Sequence, residues 1–122
     1  MRIETETKLD FSDVLIRPKR RTLASRHSVD LIREFDFKHS PVHYKGIPIM
    51  SANMDSTGTF EMADALNRHK LFTCIHKHYK PEDYENWLKV YPKLADIYNN
   101  FAVSAGINDL DKLAAILDKN SW

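Results

Sequence analysis

Three times along this chain a short apolar run gives way to small and polar residues and then to a helical stripe. Ile47 to Met50 reads as a buried strand. Ser51, Ala52, Asn53, Asp55, Ser56, Thr57 and Gly58 follow as a polar loop, and from Thr59 the residues Phe60, Ala63 and Leu66 share one helix face. The second unit predicts a strand over 71–76. After it, Pro81, Glu82 and Asp83 suit a first helical turn, and Tyr84, Trp87, Leu88 and Tyr91 recur at i, i+3, i+4 and i+7. Pro92 stops that helix. The third unit predicts a strand over 101–104, with Asn108 as N-cap, Asp111 near N3 and Leu110, Leu113, Ala114 and Leu117 on the core face. Strand, polar loop, helix, repeated in this order, predicts parallel strands whose carboxyl ends form one rim, the place where α/β folds bind ligands.

The first 46 residues follow no such pattern. Residues 9 to 16 mix apolar and acidic positions and predict a turn with a short strand or helical turn. Arg17, Pro18, Lys19, Arg20 and Arg21 form a basic run, either a solvated loop or a phosphate contact, and Pro18 argues against regular structure there. Val29, Leu31, Phe35 and Phe37 keep odd spacing, which predicts an extended segment or a hairpin. Lys38 to Gly46, with Pro41, predicts a polar loop.

A length of 122 residues suits one domain, and a net charge of +1 gives no electrostatic footprint for nucleic acid. No run approaches the roughly 18 apolar residues of a membrane helix. The N-terminus has no apolar core of the signal-peptide kind. The single cysteine, Cys74, allows no internal disulfide, which fits a reducing, cytoplasmic setting.

Strand alternation places Thr73, Ile75 and Lys77 on one face and Cys74, His76 and His78 on the other. The second set resembles a metal constellation, but three ligands in line along one strand do not enclose a tetrahedral ion unaided. Cys74, mid-strand, reads as a small core residue. Lys77 closes a buried strand, where an ammonium needs a charge or water. It is either a solvated strand end or a ligand contact. Met54 is either core or a soft surface for a base. Asn53 and Asp55 either meet a ligand or hold the turn.

Four segments, in order, resemble the GMP reductase branch of the IMP dehydrogenase/GMP reductase family. They are Leu9 to Arg20, Phe35 to Ser40, Ser51-Ala52-Asn53-Met54-Asp55 with Gly58 to Ala63, and Leu71 to Tyr79, whose His76-Lys77-His78-Tyr79 favours the reductase. The resemblance implies a TIM (β/α)₈ barrel. At about 250 residues for such a barrel, the expectation is an incomplete one: residues 1–46 as an extension and 47–122 as the first three βα units of a single barrel domain.

The resemblance further implies an NADPH-dependent oxidoreductase that deaminates GMP reductively to IMP and ammonia. It implies Ser25, Arg26 and Lys77 as cofactor contacts and Ala52 and Met54 as contacts of the purine nucleotide. The family's nucleophilic cysteine, its acid/base threonine and the potassium-binding loop of relatives lie beyond residue 122. The chain therefore holds no catalytic residue of its own, and alone it is expected to be inactive. A homotetramer, with neither nucleic acid nor membrane as partner, is expected of the full-length protein. The family pattern departs at Ser104-Ala105-Gly106-Ile107, which lacks a hydroxyl after the glycine, and at Ser56-Thr57. Two alternatives stand beside this reading: an IMP dehydrogenase-like NAD enzyme, and a non-catalytic interaction or regulatory fragment.

Overall fold

A computed structural model of the chain describes residues 5–20, 22–40, 42–90 and 95–119. Arg21, Pro41, Tyr91 and Pro92, each used in the sequence reading, lie outside these residues. The described chain is a small α/β arrangement of two sheets and three helices. An antiparallel hairpin, β1 (Arg33–Asp36) with β2 (His43–Gly46), precedes a three-stranded parallel sheet. That sheet orders β3 (Met50–Ser51), β4 (Phe72–Ile75) and β5 (Phe101–Val103) side by side, with α1 (Phe60–Asn67), α2 (Pro81–Val90) and α3 (Leu110–Lys119) after the successive strands. The expected three parallel βα units are present.

The core forms where the helices cover one face of this sheet. Ile75, fully buried, packs in a cluster with Phe60 and Ala63 of α1, Tyr84, Trp87 and Leu88 of α2, Ile97, and Ile116 of α3. Phe60 stacks between Tyr79 and Trp87, at 3.8 and 4.5 Å between ring centroids. Trp87 also donates its indole N–H to Asp64 Oδ1, 3.2 Å away. The helix α1 begins where Thr59 Oγ1 accepts from the Met62 N–H, 3.2 Å, an N-cap that satisfies an orphan donor. It ends in a Schellman pattern: Leu71 N–H to Leu66 O and Lys70 N–H to Asn67 O, with Lys70 left-handed at φ 57°.

Among the described residues, no helix covers the other face of the sheet. Phe72 there meets Tyr44 edge-on at 5.3 Å and Phe37 at 5.9 Å, so the hairpin closes the amino-terminal end of the strands. A cavity of about 310 Å³ lies beneath it, lined by Phe35, Phe37, Tyr44, Ile49, Met50 and Phe72 among others.

Five expectations are corrected. The first is the core face of α3: Leu110 and Leu117 are 64% and 47% exposed and Ala114 is exposed, Leu113 is half-buried, and the helix docks through Ile116 instead. The strand predicted over 47–50 is confined to Met50–Ser51. Pro48 has no N–H to give a ladder, the Ile47 N–H is taken by Lys70 O at 2.7 Å, and Ile49 N–H turns back to Ile47 O. Nor is this run buried, since Ile49 and Met50 are 62% and 59% exposed. The polar loop predicted over 38–46 gives way to a strand at His43, because alternation buries Tyr44 and Gly46 and leaves His43 and Lys45 to pair with β1. Helix α3 starts at Leu110, so Asp109 rather than Asn108 precedes it; the Asp109 carboxylate accepts from Gly106 N–H at 3.1 Å and its carbonyl from Leu113 N–H. Finally, β4 ends at Ile75, and residues 76–79 form a turn. Strand alternation therefore does not reach Lys77, and the Thr73–Ile75 face to which it was assigned is the face against the helices. The helical turn predicted in residues 9–16 is present at Phe11–Asp13, closed by a capping box between Asp10 and Asp13.

Candidate functional site

Parallel pairing in register sets the ends of β3, β4 and β5 next to one another. The three following loops meet there. The first loop, 52–59, folds over a turn in which Thr57 N–H and Gly58 N–H both donate to Met54 O, at 2.9 and 2.7 Å. Gly58 is buried against β4, and a Cβ there would run into the Cys74 carbonyl oxygen and approach Ala52 O at 3.0 Å. Only a residue without a side chain lets the loop lie this close.

The turn 76–79 is fastened to both neighbours. His76 N–H donates to Gly58 O at 2.9 Å, and His78 Nε2 lies 3.1 Å from Asp55 Oδ1. From the third unit, Ser104 N–H donates to Ile75 O at 3.2 Å and Lys112 Nζ to Lys77 O at 2.5 Å. Within the turn, His78 N–H donates to His76 Nδ1, 3.2 Å, which puts the proton of a neutral His76 on Nε2. The His76 ring is buried and stacks on Tyr79 at 4.2 Å. The rim expected from the three strand ends is thus a hydrogen-bonded unit.

Each sequence-predicted site residue can be placed. Ala52 and Met54 lie in the first loop, both exposed; at 61% exposure Met54 is not a core residue. Lys77 is exposed at the apex of the second turn. Ser25 and Arg26 stand in the N-terminal extension, on a single 3-10 turn, Arg26–Ser28. Ser25 Oγ caps it by accepting from His27 N–H at 3.2 Å, and Val29 N–H returns to Arg26 O. These bonds are local. Ala52 and Met54 lie on the first loop and Lys77 on the turn bonded to it, and no contact found among the described residues adds Ser25 and Arg26 to them.

Cys74 in β4 and His76 and His78 in the turn after it are not gathered around one point. Cys74 Sγ lies 3.8 Å from Met50 Sδ, His76 stacks on Tyr79, and His78 turns to Asp55. Among the described residues, no three or more His, Cys, Asp or Glu side chains converge as a metal site. Burial pushes the Cys74 thiol up from its ordinary range, the opposite of what activates a nucleophile. Burial also raises the Tyr84 hydroxyl, with Tyr79 adding to the effect. Sequence reasoning missed Lys112, whose place four residues into a helical pattern gave no sign that it reaches back 35 residues, and the Asp55–His78 pairing.

Comparison with known proteins shows what the chain is similar to. No protein-family model matches the chain. The chain is 54% identical to "GMP reductase" of Caenorhabditis elegans over 112 residues, 90% of this chain and 30% of that protein. It is 53% identical to "GMP reductase" of Aliivibrio salmonicida over 111 residues, 91% of this chain and 31% of that protein. It is 50% identical to "GMP reductase 1" of Homo sapiens over 119 residues, 96% of this chain and 34% of that protein. The resemblance read in the four segments extends over nearly the whole chain. The chain spans about a third of the length of the curated relatives it matches. The reductase name these relatives carry does not favour the dehydrogenase or the non-catalytic alternative.

Proposed function

We propose that the chain is the N-terminal part of an NADPH-dependent GMP reductase, with residues 1–46 as an extension and 47–122 as the first three βα units of one (β/α)₈ barrel. The identity of 54% to a reductase over 112 residues carries this reading. The parallel order β3-β4-β5, with helices on one face only among the described residues, supports the barrel, since further strands would extend the sheet and enclose its other face. Among the described residues no helix is long and apolar enough to cross a membrane, and a cytoplasmic homo-oligomer is the setting we assign to the full-length protein.

The donors present fit a dinucleotide phosphate. Arg26 offers an exposed planar fork for phosphate oxygens, Ser25 a hydroxyl beside it, and Lys77 an exposed ammonium at the rim. When bound, NADPH supplies the hydride that replaces the purine amino group, which leaves as ammonia. The chain's own share is binding and placement: Ala52 and Met54 against the purine, Lys77 as a fixed cation between nucleotide and cofactor. The nucleophilic cysteine and the potassium loop belong to the part beyond residue 122.

The full-length protein incubated with GMP and NADPH should lose NADPH absorbance and release IMP and ammonia, and residues 1–122 alone should not. Reduction of NAD with IMP, without NADPH loss on GMP, would assign the protein to the dehydrogenase branch instead.

A further inference from the structure

We propose that Lys112 is a positioning residue for Lys77, a role that rests on Lys77 contacting the cofactor in the proposed reductase. Lys112 is half-buried in the first turn of α3, and its Nζ donates to the backbone carbonyl of Lys77 at 2.5 Å. The bond is to the main chain. It fixes residue 77 without occupying the Lys77 ammonium, which stays available for a ligand.

The turn 76–79 would otherwise hang chiefly from the first unit, through His76 N–H to Gly58 O and His78 to Asp55. From the third unit, Ser104 N–H holds the end of β4 at Ile75 O, ahead of the turn. Lys112 holds the apex itself. A lysine suits this reach, with a long stem and a compact cation whose charge strengthens the bond to a carbonyl. Packing does not explain the residue, because α3 docks through the buried Ile116.

The test is a double-mutant cycle in the full-length protein, with kcat, KM for GMP and melting temperature read on each variant. Lys112→Met keeps the stem and removes the donor. It should lower kcat by about tenfold or more, the size of a lost charge-assisted hydrogen bond, while KM for GMP stays within about twofold and the melting temperature barely moves. Lys112→Arg, which keeps a charged donor, should recover most of the loss. In a Lys77→Met background the further change Lys112→Met should cost less than about twofold, since a residue acting through Lys77 has nothing left to position. Full additivity in that background, or an unchanged kcat for Lys112→Met alone, overturns the role. Absence of NADPH-dependent turnover in the unsubstituted protein instead removes the reductase reading, and the positioning role with it.

Discussion

Gly58 and Cys74 are in such close approach that a Cβ on Gly58 would collide with the Cys74 carbonyl oxygen. This contact docks the first rim loop on β4, and the Gly58 carbonyl then receives His76 N–H. Gly58→Ala must push backbone against backbone, so we expect a loss of about 1–3 kcal/mol from overpacking. Gly106 provides the control. A Cβ there meets chiefly the Asp109 carboxylate, at 2.8 Å, a side-chain tip that can shift at the expense of its bond from Gly106 N–H rather than of backbone, so Gly106→Ala should cost less. Urea unfolding of the two variants of the full-length protein checks the order, and equal losses would show that the Gly58 loop relaxes freely.

Thr73 Oγ1 and Ser51 Oγ are buried with no hydrogen-bond partner among the described residues, and the two residues are register partners on β4 and β3. An unpaired buried hydroxyl costs about 1–3 kcal/mol of desolvation. Thr73→Val keeps the shape and removes that group. Its unfolding free energy should be equal to or above that of the unsubstituted protein, by up to about 1 kcal/mol. A loss of more than about 1 kcal/mol would show that the hydroxyl is bonded, contrary to the geometry.

Local periodicity made the core faces of α1 and α2 legible, and the order of the units the parallel sheet; on α3 it pointed to Leu110 and Leu117, which are exposed, while Ile116 is the buried residue. Phe60 and Ala63, and again Tyr84, Trp87 and Leu88, face the core as their helical spacing requires. The parallel order of three strands followed from strand, loop and helix repeating. Of the hairpin expected within residues 29–37 only β1 lies there; its second strand reads as loop because it is written in polar residues. Lys45 pairs with Glu34 at 2.6 Å and His43 with Asp36 at 2.7 Å, cross-strand polar pairs that support a sheet but read as a loop one residue at a time. The Lys45 partner holds the Glu34 carboxyl below its ordinary range. The site was legible as three loops and not as a unit. Its fastenings join residues far apart in sequence, such as Lys112 to Lys77 and His78 to Asp55, and no spacing rule announces them.

Cys74 should be a slow thiol. Its pKa is raised by burial, so at a given pH below that pKa the folded protein holds less thiolate than a free cysteine does. The sign is plain: raising the pH brings reactivity in later than for an unfolded chain. At neutral pH, mass spectrometry of the tryptic peptide should show Cys74 alkylated by iodoacetamide more slowly in the native protein than after denaturation in urea. Rapid native labelling would reopen Cys74 as a reactive group.

Arg26 separates cofactor binding from folding. It is exposed on a 3-10 turn whose bonds, Ser25 Oγ to His27 N–H and Arg26 O to Val29 N–H, do not involve its side chain. Arg26→Ala should leave the melting temperature where it is, because surface substitutions away from caps and cores move stability little. If the guanidinium meets a phosphate of NADPH, its loss should weaken NADPH by about 1–3 kcal/mol, the range for a charged hydrogen bond, and GMP by far less. Ser25→Ala tests the opposite case, since Ser25 caps the turn: it should lower local order as well as NADPH affinity, and a glycine in its place should restore much of the cap. Titrations of NADPH and GMP on the same full-length variants decide the matter. Equal weakening of both ligands by Arg26→Ala would make the residue a contributor to general charge, and no weakening of either would return it to the solvated loop.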